Sequence, residues 1–136
     1  MTDRELDALI AEKVMGLKPC RFHQEGSFSA WSTVWRCDCD NGTTGCFPVN
    51  KEAIDHPHSM LPHYSSDIAA AMEIVPKMSS MGHDFDLSYW GHDNRWGARF
   101  PGGPNNSKSH HEIYSNTAPR AIVLAALKAK GIDVDG

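Results

Sequence analysis

Apolar residues recur at helical spacing at both ends of the chain and in one central block, while two stretches between them alternate with period two. Leu6, Leu9, Ile10 and Val14 lie three or four residues apart, which predicts an amphipathic helix over roughly 3–15. Thr2 stands three residues before Glu5, the spacing of a capping box, and Gly16 supplies a stop. Ile68, Ala71, Met72 and Val75 predict a second helix from near Ser66, capped by a serine and favoured at its N-terminus by Asp67. Pro76 lacks the N–H that would bond the Met72 carbonyl, so the helix is expected to kink or end there. Ala121 to Leu127 is apolar on every side and predicts a buried closing helix, with Thr117 as cap, Pro119 in its first turn and Gly131 as stop.

The alternating stretches predict strands. Phe85, Leu87 and Tyr89 alternate with Asp84, Asp86 and Ser88, Gly91-His92-Asp93-Asn94 makes a turn, and Trp96, Ala98 and Phe100 alternate in reply. This is the clearest hairpin in the chain. Residues 110–114 add a third strand. Trp31, Thr33 and Trp35 suit a strand, followed by a turn at Asp40-Asn41-Gly42 and a short edge strand at Cys46-Phe47-Pro48-Val49. The remainder of 17–63 is irregular, ending in a proline-rich loop around His56, His58 and His63. The expected fold class is α+β: an antiparallel sheet flanked by helices, α/β/α sandwich-like, carrying an irregular β insert with cysteines and histidines.

Composition narrows the partners. At 136 residues the chain is read as one domain, 1–136, able to bury a core without staples. A net charge of −4 with scattered lysines and arginines argues against nucleic acid. No apolar run approaches the ~20 residues of a membrane span, and the charged N-terminus lacks the core of a signal peptide. The expected setting is therefore cytosolic, where thiols stay reduced.

Three blocks carry a family resemblance. Arg4-Glu5-Leu6-Asp7-Ala8-Leu9-Ile10-Ala11-Glu12-Lys13-Val14-Met15-Gly16 resembles the opening of the phage ABA-sandwich-domain proteins. Tyr64-Ser65-Ser66-Asp67-Ile68-Ala69-Ala70-Ala71 is similar to the start of their central helix, and residues 117–129 to their closing helix. A more distant likeness is to NinX-type phage proteins. The resemblance implies a phage or prophage origin and an α/β/α arrangement. It implies no catalytic residues, and it makes 17–63 an insert that varies between relatives. Pro76 departs from the pattern, since relatives continue the helix there.

Candidate chemistry is sparse. Cys20 and His23 are spaced to reach one ion from a tight turn, and Cys37 and Cys39 could complete a tetrahedral structural zinc site. Cys46 is a rival for the fourth place. Against this, alternate strand residues point to opposite faces, so Cys37 and Cys39 converge only if the backbone bends. Reduced thiols in a hairpin are the competing reading, and a disulfide is disfavoured by the cytosolic setting. His56, His58, His63, His83, His92, His110 and His111, with Asp84, Asp86 or Asp93, raise the alternative of a metal-dependent hydrolase. No His-Glu-x-x-His pattern, nucleophile elbow, phosphate loop or dinucleotide fingerprint supports catalysis. The best recognition surface is aromatic: Trp90, Arg95, Trp96 and Arg99 at the hairpin, where an indole and a guanidinium could stack a base or clamp a phosphate. For Trp96 and Trp35 the core is the favoured place, whereas Trp90 alternates onto the polar face and should be exposed. The expectation is a small non-enzymatic phage accessory protein in the host cytoplasm. It would bind a host protein or a nucleotide-like ligand and act against a defence by inhibition or sequestration. A homodimer through the Trp90 edge is a further option.

Overall fold

The structure, a computed structural model, describes residues 2–20, 46–48, 61–102 and 112–134. Helix α1 spans Asp3–Lys13. Its capping box forms as the sequence predicts: Thr2 Oγ1 accepts the Glu5 N–H at 3.2 Å, and Glu5 Oε2 accepts the Thr2 N–H at 2.9 Å. At the other end Gly16 takes a φ of +75°, open to glycine at little cost, and the Leu17 N–H reaches back to the Ala11 carbonyl at 2.9 Å.

Strands β1 (Lys18–Cys20) and β2 (Cys46–Pro48) pair in parallel, Pro19 beside Phe47. The edge strand at Cys46 is thus present. Its partner was not legible, because a Lys-Pro-Cys triplet is too short to show alternation and acquires its conformation from the ladder. The strand expected at Trp31–Trp35 and the turn at Asn41-Gly42 lie outside the described residues.

The central helical block divides in two. Helix α2 (Ile68–Met72) is capped by Asp67, whose carboxylate accepts the Ala69 N–H at 3.1 Å; an aspartate rather than a serine closes this end. The ladder breaks at Glu73, and helix α3 (Ile74–Ser80) begins at once. The interruption therefore comes three residues before Pro76, which sits in the first turn of α3 where its missing N–H leaves no bond unmade. The buried stripe becomes Ala71, Ile74 and Met78, while Ile68 and Met72 are exposed.

Strands β3 (Asp86–Trp90), β4 (Arg95–Arg99) and β5 (Ile113–Ser115) form an antiparallel sheet in that order. Leu87 opposes Ala98, Tyr89 opposes Trp96, and Gly97 opposes Tyr114. Helix α4 (Ala118–Ala129) lies on β4 and β5 and is in turn covered by α1, α2 and α3. Its Ala121, Ile122, Val123, Ala126 and Leu127 are fully buried, as an all-apolar helix between a sheet and other helices must be. Thr117 occupies the N-cap position, but its side chain makes no capping bond.

One polar cluster penetrates this core. Asp7 is fully buried, with Oδ2 accepting from Arg4 Nη1 at 2.7 Å and Oδ1 accepting the Ser65 N–H at 2.7 Å. Arg4 also donates to the Leu61 carbonyl at 2.9 Å, fastening α1 to the segment that leads into α2. The fold is α+β, a three-stranded antiparallel sheet with helices packed upon it. Among the described residues no helix is long and apolar enough to cross a membrane.

Candidate functional site

Strand alternation gives the three-stranded sheet two unlike faces. Leu87, Trp96, Ala98 and Ile113 meet the helices. The outer face carries Asp86, Ser88 and Trp90 from β3, Arg95, Gly97 and Arg99 from β4, and Tyr114 from β5, with Glu112 just before β5.

Glu112 organises this face. Its Oε1 accepts from Ser88 Oγ at 2.5 Å and its Oε2 from Tyr114 Oη at 2.8 Å, and the Trp90 indole N–H is a lesser third donor. These donors, with Ser88 foremost, hold its carboxyl below the usual value of 4.5, and Arg99 adds a small attraction. The same bond pushes the Tyr114 hydroxyl above 10.0. The carboxylate crosses the central strand at Gly97, where a Cβ would collide with it. A residue without a side chain in the middle of β4 thus makes room for a fixed anion.

Both cations of the face have an ion-pair partner, although the buried Arg95 Nε makes no hydrogen bond. Arg99 Nε donates to Asp86 Oδ2 at 2.7 Å, directly across the β3–β4 register. Arg95 lies over the Tyr114 ring, 4.1 Å from its centroid, and its Nε is 3.3 Å from Asp93 Oδ2. Trp90 is 44% exposed and Tyr114 39%, although both stand on regular strands.

Of the four residues singled out at the hairpin, Trp90, Arg95 and Arg99 share this face. Trp96 does not: it lies on the helix-facing side, packed against the core and against Tyr89 with ring centroids 4.9 Å apart. Glu112, Tyr114, Ser88 and Gly97 were not anticipated as site residues. The only signal was the third strand, since the partners of Glu112 follow from sheet register rather than from neighbours in sequence.

For the zinc proposal, Cys20 lies in β1 beside Pro48, and Cys46 in β2 beside Lys18. His23, Cys37 and Cys39 are outside the described residues, as are His56, His58, His110 and His111. His83 is buried with Nδ1 3.2 Å from the Phe100 carbonyl, and His92 is in the hairpin turn. Among the described residues no three His, Cys, Asp or Glu side chains converge to hold a metal ion.

A concavity lies on the opposite side of the sheet. An apolar groove of about 480 Å³ runs between Ile68, Met72, Leu87, Trp96 and Pro119. It adjoins a more polar recess of about 720 Å³ that includes Ser65, Ser115 and Arg120, the last donating to Asp3 Oδ1 at 2.6 Å.

Comparison with known proteins places the fold. A phage protein from Bacillus cereus ATCC 14579, known from a 2.0 Å crystal structure, superposes with a TM-score of 0.59 at 18% identity. The match covers 99% of this chain and 93% of that one, and at this identity it shows a shared fold alone. No curated protein matches the chain. Residues 8–127 match the phage ABA sandwich domain, and the chain belongs to that family.

Proposed function

We propose that this phage protein is a non-enzymatic accessory factor of the host cytoplasm, and that it binds a host protein through the outer face of its three-stranded sheet. The observation that carries the reading is the exposure of Trp90 and Tyr114 on ordered strands around a fixed carboxylate. Rigid aromatics with adjacent arginine are the composition of binding hot spots. Inhibition of a host defence protein by occlusion is the role that such a face would serve.

A protein partner fits this face better than a nucleotide. Arg95 and Arg99 stand against Asp86, Asp93 and Glu112, two positive charges against three negative. A phosphate would have to displace Asp86 from Arg99, compete with the Asp93 charge beside Arg95, and would still meet Glu112. Exposed ion pairs are weak, about 0–1 kcal/mol each, but the excess carboxylate opposes an anion in any arrangement.

The test immobilises wild-type protein and a Trp90→Ala/Tyr114→Ala variant and exposes both to lysate of the host bacterium. A host protein retained by the wild type and lost by the variant, at unchanged thermal stability, supports the reading. Calorimetric binding of a nucleoside triphosphate, with no protein retained, would replace it with sequestration.

A further inference from the structure

We infer that Glu112 is the receptor for a basic side chain, arginine or lysine, presented by the protein partner of this face. The inference rests on the protein-binding reading above and names the chemistry of the contact.

Charge pairing on the face leaves one anion over. Asp86 is neutralised by Arg99 at 2.7 Å and Asp93 faces Arg95 at 3.3 Å. Among the described residues no basic side chain forms an ion pair with Glu112, whose contacts are the neutral donors Ser88, Tyr114 and Trp90. Neutral donors orient a carboxylate and keep it ionised without cancelling its charge, so its attraction for an incoming cation persists.

The surroundings also favour a cation. Trp90 and Tyr114 flank the carboxylate, and aromatic faces attract guanidinium and ammonium groups. The protein already shows the geometry once: Arg95 lies over Tyr114 at 4.1 Å. Arg95 covers that ring, which leaves the half-exposed Trp90 to stack against a second cation. Gly97 contributes by subtraction, because any side chain there would push the carboxylate away from its three donors. With a chain charge of −4, long-range steering has the same sign.

The experiment uses the whole protein, with a set of short amidated peptides identical except for one central residue: arginine, lysine, glutamine or glutamate. Binding is followed by NMR at the Trp90 indole N–H and the Tyr114 ring. The arginine and lysine peptides are expected to shift these signals, with affinity falling several-fold on raising salt from 50 to 300 mM. The glutamine and glutamate peptides should leave them unmoved. Glu112→Gln, which keeps the shape and an acceptor oxygen, should weaken arginine-peptide binding about tenfold. Equal shifts from all four peptides, no shift from any, or unchanged binding by Glu112→Gln would each overturn the inference. The two readings fail separately. A host protein that Trp90→Ala/Tyr114→Ala loses but Glu112→Gln keeps removes the role of Glu112 and leaves the protein-binding face standing. Retention by both variants removes the face itself.

Discussion

Asp7 Oδ1 accepts the backbone N–H of Ser65 at 2.7 Å, across 58 positions of sequence and at zero solvent exposure. The other carboxylate oxygen takes Arg4 Nη1, and Arg4 reaches on to the Leu61 carbonyl. One acidic side chain on α1 therefore sets where the chain enters the central helices. Removing it strands the buried Ser65 N–H and takes the counter-charge from Arg4, which keeps the Leu61 and Pro62 carbonyls. Asp7→Ala should cost about 3 kcal/mol, and Asp7→Asn less, because an acceptor oxygen remains. Urea unfolding of the two variants checks both size and order.

The two hairpin tryptophans should separate cleanly. Trp96 packs on the core and against Tyr89, so Trp96→Ala should lose about 2–4 kcal/mol. Trp90→Ala, on the open face, should stay within about 1 kcal/mol of wild type. Thermal unfolding of each variant makes the comparison, and equal losses would place Trp90 in the core as well.

Gly97→Ala should change the site more than the fold. The three atoms nearest the added Cβ all belong to the Glu112 side chain, which can swing away, so stability should fall by no more than about 1 kcal/mol. The displaced carboxyl, deprived of Ser88 and Tyr114, should then titrate near its ordinary value. A carbon-detected NMR titration of Glu112 in wild type and variant reads this directly.

Glu112 also links stability to acid. Its folded-state pKa lies below the usual 4.5, so folding binds fewer protons there than the unfolded chain does. Its contribution is complete above that value and disappears as the pH falls through the lowered one. Glu112→Gln should therefore flatten the acid limb of a stability–pH profile below about pH 5 and leave the neutral region parallel to wild type.

Tyr64 governs the opposite limb. Burial, reinforced by Glu73 and Asp7, pushes its hydroxyl up to about 12 from 10.0. Between those values the unfolded chain ionises first, so stability should fall by about 1.4 kcal/mol per pH unit from this group. Tyr64→Phe should remove that slope. Denaturant midpoints at pH 9, 10 and 11 measure it.

Local chemistry determined a good part of this protein. Thr2 and Glu5 closed the first turn of α1, alternation around Gly91–Asn94 made the hairpin and exposed Trp90, and an all-apolar run from Ala121 to Leu127 demanded burial on every side. Each rests on residues within one or two turns of one another, where spacing alone dictates the outcome. The tertiary structure decided what spacing cannot express. Continuous periodicity assigned Ile68 and Met72 to the core, but the break at Glu73 gave those places to Ile74 and Met78. Nothing in the spacing of α1 marked Asp7 as buried; Ser65 and Arg4 enclose it only in the folded chain. Glu112 had no visible partner until register set Ser88 and Tyr114 on either side of Gly97. Hydrogen bonds between distant segments depend on which strands and helices meet, and that is fixed only when the core is packed.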